Sequence, residues 1–137
     1  MKVVELNLQE KVNLEVSENS IFLFFPDKSL RKSEVNLLMA RSGISSRIIY
    51  ADDIKQRDLN ISVNLVHSAP ETHSEVFVRT LLGAEGNLRF SGNVAVEPAS
   101  EGATGNLDVK GLAQGENFSW EATPSLNIEN DKVDIRH

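Results

Sequence analysis

The chain has 137 residues, enough for one domain, and its 25% charged and 40% hydrophobic residues are typical of a globular protein. The net charge of −6, with Lys and Arg scattered along the chain, disfavours binding to nucleic acid. The absence of Cys excludes disulfides, thiolate-bound metal or clusters, and a Cys nucleophile.

The apolar segments are too short to span a membrane. The longest strongly apolar run, Ile21 to Phe25, is closed by Pro26, whereas a spanning helix needs about 20 residues. The first residues lack the apolar centre and cleavage site of a signal peptide. We therefore expect a cytoplasmic protein without a membrane partner.

The first part of the chain shows the alternation of apolar and polar residues that is typical of strands. The sequence 17–20 has the turn chemistry to join two of them. We expect residues 1–42 to form short antiparallel strands that cap the core. The apolar positions that carry this expectation are Val4, Leu6, Leu8, Val12, Leu14, Val16 and the run Ile21 to Phe25.

The segment from Ser29 to Ala40 fits both a helix and a strand, and we favour an extended stretch. From Leu59 the alternation becomes regular, which predicts strands with one buried and one solvated face. Beyond Val96 the apolar residues fall in short pairs separated by Gly, Asn, Pro or Asp. We expect brief strands there.

Three prolines, Pro70, Pro98 and Pro124, recur at intervals close to the repeat of stacked β coils, and each is expected to end or open a strand. Solenoids with such repeats bury a continuous core by stacking. A β-sandwich with strands every 8 to 12 residues fits the same pattern. The pattern alone leaves both architectures open.

A resemblance favours the solenoid. The string F-S-G-N-V-A-V-E-P-A at Phe90 to Ala99, then A-T-P-S-L-N-I at Ala122 to Ile128, and the final Val133 to His137 resemble the core of the iron–sulfur assembly proteins SufB and SufD. The similarity extends from about residue 67 to residue 137, and more weakly from residue 43. It implies an all-β fold with a right-handed parallel β-helix over residues 43–137.

The resemblance also implies a function. We expect a scaffold or interaction subunit of iron–sulfur cluster assembly, a non-enzyme that forms a homodimer or a heterodimer with a SufB/SufD-like chain. The Cys-bearing and C-terminal helical parts of the family have no counterpart in this sequence. Docking of a SufC-like ATPase is therefore not expected. We expect no stably bound cofactor, with iron or a transient iron–sulfur cluster held at a subunit interface.

His and carboxylate residues concentrate in one segment, where His67, Glu71 and His73 are candidate metal ligands. Two imidazoles and a carboxylate suit Fe(II) or zinc, although Pro70 separates the histidines. His137 is a fourth candidate, because the resemblance aligns it with a histidine near the SufB–SufD interface. One His without partners on its own chain forms only a shared site.

Two further functions stay open. One is a small metal-binding protein or enzyme that uses His67, Glu71 and His73 directly, and metal retained by the purified monomer would favour it. The other is a structural β-solenoid that self-assembles end to end, in which case size would grow with protein concentration.

Overall fold

The computed structural model describes residues 1–98, 100–113, 119–128 and 134–136. Within these ranges the chain forms strands and turns, and no helix there is suited to crossing a membrane. The strands are β1 (Lys2–Asn7), β2 (Lys11–Val16), β3 (Ser20–Phe25), β4 (Lys32–Met39), β5 (Ser45–Ile54), β6 (Asp58–His67), β7 (His73–Leu82), β8 (Asn87–Val96), β9 (Thr104–Ala113), β10 (Ser119–Ile128) and β11 (Asp134–Arg136).

The strands form a two-sheet β-solenoid. The odd sheet has the order β1-β3-β5-β7-β9-β11, and the even sheet has the order β10-β8-β6-β4-β2. Neighbours in each sheet are parallel throughout. One odd strand and the following even strand therefore make one coil, and each coil stacks on the one before. This confirms the β-solenoid expected from the resemblance.

The core lies between the two sheets and consists of inward columns of apolar side chains. One column of the odd sheet stacks Phe22, Ile48, Val76 and Leu107 through successive registers. All four side chains belong to one buried cluster that draws residues from both sheets. A methyl group added at Gly92, on the even sheet, would lie 2.5 Å from Leu107 Cδ1. Leu107 can therefore pack against this position only because Gly92 has no side chain.

The expected antiparallel cap at the N-terminus was wrong. β1 pairs in parallel with β3, and β2 pairs in parallel with β4. Side chains alternate with a period of two in both kinds of strand, so the pattern does not distinguish them. The turn at residues 17–19 carries the chain from the even sheet to the odd sheet, whereas a hairpin would keep it in one sheet. Both sheets continue without a break across residues 42 and 43.

Two expectations for the middle and end of the chain met different outcomes. The segment from Ser29 to Ala40 contains strand β4, as expected. The expected break at Pro124 was wrong, because β10 runs through it and pairs Pro124 with Gly92. Among the described strands β10 pairs only with β8, so it lies at the edge of the even sheet. An edge strand tolerates the missing N–H of proline.

The turn between β7 and β8 depends on a glycine. The amide of Gly86 donates to the carbonyl of Gly83 at 3.0 Å, and a methyl group on Gly86 would lie 2.1 Å from the carbonyl oxygen of Ile54. The two nearest obstructing atoms, the carbonyl oxygen and carbon of Ile54, are backbone atoms of the preceding coil. A side chain at this position therefore forces neighbouring coils apart.

We expect Gly86→Ala to lower the free energy of unfolding by about 2 to 3 kcal/mol, the cost of overpacking against atoms that cannot rotate away. Chemical denaturation at neutral pH measures the change. Ala84→Ser, at an exposed position of the same turn, is the control and should stay within about 0.5 kcal/mol of the parent. Equal stability of the two variants would contradict the packing argument.

Candidate functional site

His67 lies inside the solenoid. It is the last residue of β6, where the alternation that buries Leu59 and Leu65 also turns the imidazole inward, and it is 0% exposed. Its Nδ1 lies 2.7 Å from Thr72 Oγ1 and its Nε2 lies 2.8 Å from Ser74 Oγ. Both ring nitrogens are therefore engaged by buried hydroxyl groups.

The environment of His67 favours the neutral ring. Burial, together with the nearby charge of His73 as a smaller cause, lowers the pKa of His67 from 6.5 to about 4. A neutral imidazole has one N–H and one acceptor nitrogen, which two hydroxyl groups can satisfy together. At neutral pH His67 thus serves as a hydrogen-bonded core residue.

The structure does not bring His67, Glu71 and His73 together as ligands. His73 opens β7 on the outer face, and its Nδ1 lies 2.5 Å from Thr104 Oγ1 on the next coil. Glu71 is exposed in the loop before β7, and a methyl group on Gly102 would meet its carboxylate at 2.5 Å. Among the described residues, no group of three His, Cys, Asp or Glu is placed to hold a metal ion.

The metal hypothesis at these residues stays a prediction. His137, the fourth candidate ligand, lies outside the described residues. The sequence could have predicted that His67 and His73 are separated. Side chains of a strand alternate between its two faces, and the two histidines fall on different faces of their strands. His67 continues the inward series of Leu65, whereas His73 continues the outward series opposite Val76.

The outer face of the odd sheet carries apolar side chains on several coils, with charged and polar side chains between them. We call this surface the apolar face. Phe25 and Leu112 are 46% and 65% exposed, which is high for large apolar side chains. An apolar cleft of about 610 Å³ opens at one end of it, between Pro26 and Leu112. The apolar face consists of Val3, Ile21, Leu23, Phe25, Ile49, Phe77, Leu81 and Leu112.

Charged side chains of both signs lie among these apolar residues. Arg47 and Arg79 lie over the ring of Phe77, at 5.3 and 5.5 Å from its centroid. Arg47 pairs with Glu75 at 3.2 Å, and Arg79 pairs with Asp108 at 3.1 Å. The two cations pack against the aromatic ring. Each arginine pairs with a carboxylate on the strand of the next coil, which balances its charge.

The outer face of the even sheet differs, since it is mainly polar. Asn13, Asn36 and Asn64 stack on successive coils, with amide-to-amide hydrogen bonds of 2.9 and 2.7 Å. Leu38 is a partly exposed apolar residue near this ladder. The contrast identifies the odd sheet as the side of the described solenoid that is suited to burying apolar surface against another molecule.

Sequence reasoning missed the apolar face because it used the run Ile21 to Phe25 only as evidence for a strand. The run carried the signal, since apolar residues at consecutive positions of a strand must point to both faces. Only Phe22 and Phe24 of this run are buried in the solenoid.

Comparison with known proteins adds one finding. The family model described as "SUF system FeS cluster assembly, SufBD core domain" matches residues 18–137. The match begins in the turn before β3 and continues to the last residue. A comparison with curated proteins finds no match for the chain.

Proposed function

The chain belongs to the SufBD core domain family of the SUF iron–sulfur cluster assembly system, and from that premise we propose that it is a non-catalytic scaffold that works through its apolar face. The proposed partner is a second SufB/SufD-like chain, either another copy or a paralogue. The observation that carries the proposal is the row of apolar side chains on the outside of the odd sheet.

The make-up of this surface supports a protein partner. Exposed contiguous apolar patches on soluble domains mark interaction sites, and protein interfaces combine an apolar centre with a polar rim. Phe77 lies between two arginines that each pair with a carboxylate. Aromatic and Arg residues are the types enriched at interface hot spots.

The buried hydroxyl groups support a role without catalysis. Ser74 is the serine that sequence spacing places beside His73, yet it is 1% exposed and its Oγ contacts His67 inside the core. A nucleophile must reach its substrate. In the described part of the chain this Ser–His contact is closed to a substrate, so we assign it to packing.

Cluster assembly then depends on residues from more than one chain. We propose that iron or a transient cluster is cargo at the subunit interface, with His137 as one ligand and the others from the partner. The proposal places this activity in the cytoplasm, without nucleic acid or a stably bound cofactor.

The test is a substitution on the apolar face. We expect Phe25→Asp to weaken association with a second copy or with a SufB-type chain by about 30-fold, since loss of an interface aromatic costs about 2 kcal/mol. Sedimentation equilibrium of the chain alone, and of its mixture with the SufB-type chain, separates the two partners.

Leu38→Asp is the matched control, because it introduces the same charge at an outward apolar residue of the even sheet. It should associate like the parent chain. Equal association of Phe25→Asp, Leu38→Asp and the parent would overturn the assignment of the apolar face. Sizes that grow without limit as concentration rises would instead support the end-to-end polymer.

A further inference from the structure

A second surface feature lies at the turns that lead from the odd sheet to the even sheet. The β3–β4 turn and the β5–β6 turn belong to neighbouring coils and together enclose a cleft of about 570 Å³. Four cationic side chains line it, and the only lining carboxylate among the described residues is Asp53. The four cations are Lys28, Arg31, Lys55 and Arg57.

Hydrogen bonds to buried and backbone acceptors fix the position of Arg57. Its side chain is 8% exposed, and its Nη2 donates to the carboxylate of Asp52, whose side chain is 0% exposed. Its Nη1 donates to the carbonyl of Asp27 at 3.4 Å. Lys28 Nζ donates to the other oxygen of Asp52 at 2.5 Å. The buried carboxylate thus holds two of the cations at the wall of the cleft.

One donor of Arg57 is left over. Its Nε is buried and has no hydrogen-bond partner within the described part of the structure. A buried donor without an acceptor costs about 1 to 3 kcal/mol. The side chain that carries this donor lines the cleft.

Three carboxylates contact residues that line the cleft. Asp52 is committed to Arg57 and Lys28, and Asp53 pairs with Lys55 at 3.6 Å. The carboxylate of Asp27 accepts from the amide and hydroxyl of Ser29 at 2.9 and 2.6 Å. Four cations therefore face three carboxylates, in a chain whose overall charge is −6.

We propose that this cleft binds the phosphate group of a small phosphorylated ligand. Phosphate offers several acceptor oxygens to Arg and Lys donors in one place, and such charge-assisted hydrogen bonds are about twice as strong as neutral ones. The volume exceeds the needs of a bare phosphate and lies within the usual range for small-molecule pockets. The cleft therefore has room for a ligand with a body beyond its phosphate.

The experiment is a titration of the full chain with inorganic phosphate at constant ionic strength, followed by amide NMR. We expect saturable shifts at Ser29, Gln56 and Arg57, and none with acetate. Arg31→Gln and Lys55→Gln should each weaken phosphate binding by about tenfold, because each removes one charge-assisted contact.

Lys32→Gln is the control for overall charge. Lys32 is exposed next to Arg31 but lies in β4, outside the cleft lining. It should bind phosphate like the parent. Equal weakening by Lys32→Gln and Arg31→Gln, equal shifts with acetate, or no saturation by tens of millimolar phosphate would overturn the proposal. Melting curves without phosphate confirm that each variant is folded.

Discussion

Asp52→Asn is expected to lower the free energy of unfolding by about 3 to 5 kcal/mol, because it leaves the guanidinium of Arg57 buried without a countercharge. Only 8% of the Arg57 side chain is exposed, whereas Lys28, at 61%, can be solvated again. Tyr50 adds to the loss, since its hydroxyl donates to the carboxylate of Asp52. Urea denaturation at neutral pH measures the change.

Asp53→Asn is the matched control on the neighbouring residue. Asp53 is 46% exposed and pairs with an exposed Lys55, so its loss should cost less than about 1 kcal/mol. The double variant Asp52→Asn, Arg57→Met should recover most of the stability, because no charge is then buried. A cost for Asp52→Asn no larger than that for Asp53→Asn would show that Arg57 is solvated.

This cluster illustrates what the sequence could not predict. Lys28 and Asp52 are 24 residues apart, and they meet only because the turns of successive coils lie side by side. Neither residue belongs to a motif, and the register between coils depends on turn lengths that alternation does not reveal. The cationic cleft was invisible for the same reason.

Other parts of the fold could be predicted from the sequence. The regular alternation from Leu59 onward predicted the buried faces of β6, β7 and β8, and the resemblance predicted that they form a solenoid. The direction of the N-terminal strands was not within reach, because parallel and antiparallel strands share the same period. The parity that turns His67 inward was present in the sequence but was set aside when His67 was grouped with His73.

His67 makes the fold sensitive to acid. Burial, with a smaller effect from His73, holds the pKa of His67 at about 4 in the folded protein, against 6.5 in the unfolded chain. Between these two pKa values the imidazole is protonated in the unfolded chain and neutral in the folded protein. The free energy of unfolding therefore has its full value above about pH 6.5 and decreases as the pH falls. The expected loss is about 2 kcal/mol between pH 7 and pH 5.

Denaturation curves at pH 7 and pH 5 test this linkage, because a non-titrating residue at position 67 removes it. His67→Met suits the site, since Met39 and Val96 occupy the same inward column on the adjacent coils. The variant should lose about 2 kcal/mol less than the parent over this pH range, whatever its stability at pH 7. His73→Gln, at the exposed histidine, should keep most of the parental pH dependence, as His73 is the smaller cause. Equal losses of stability for His67→Met and the parent between pH 7 and pH 5 would show that His67 is protonated in the folded protein. That result would contradict its assignment as a buried, neutral, hydrogen-bonded residue.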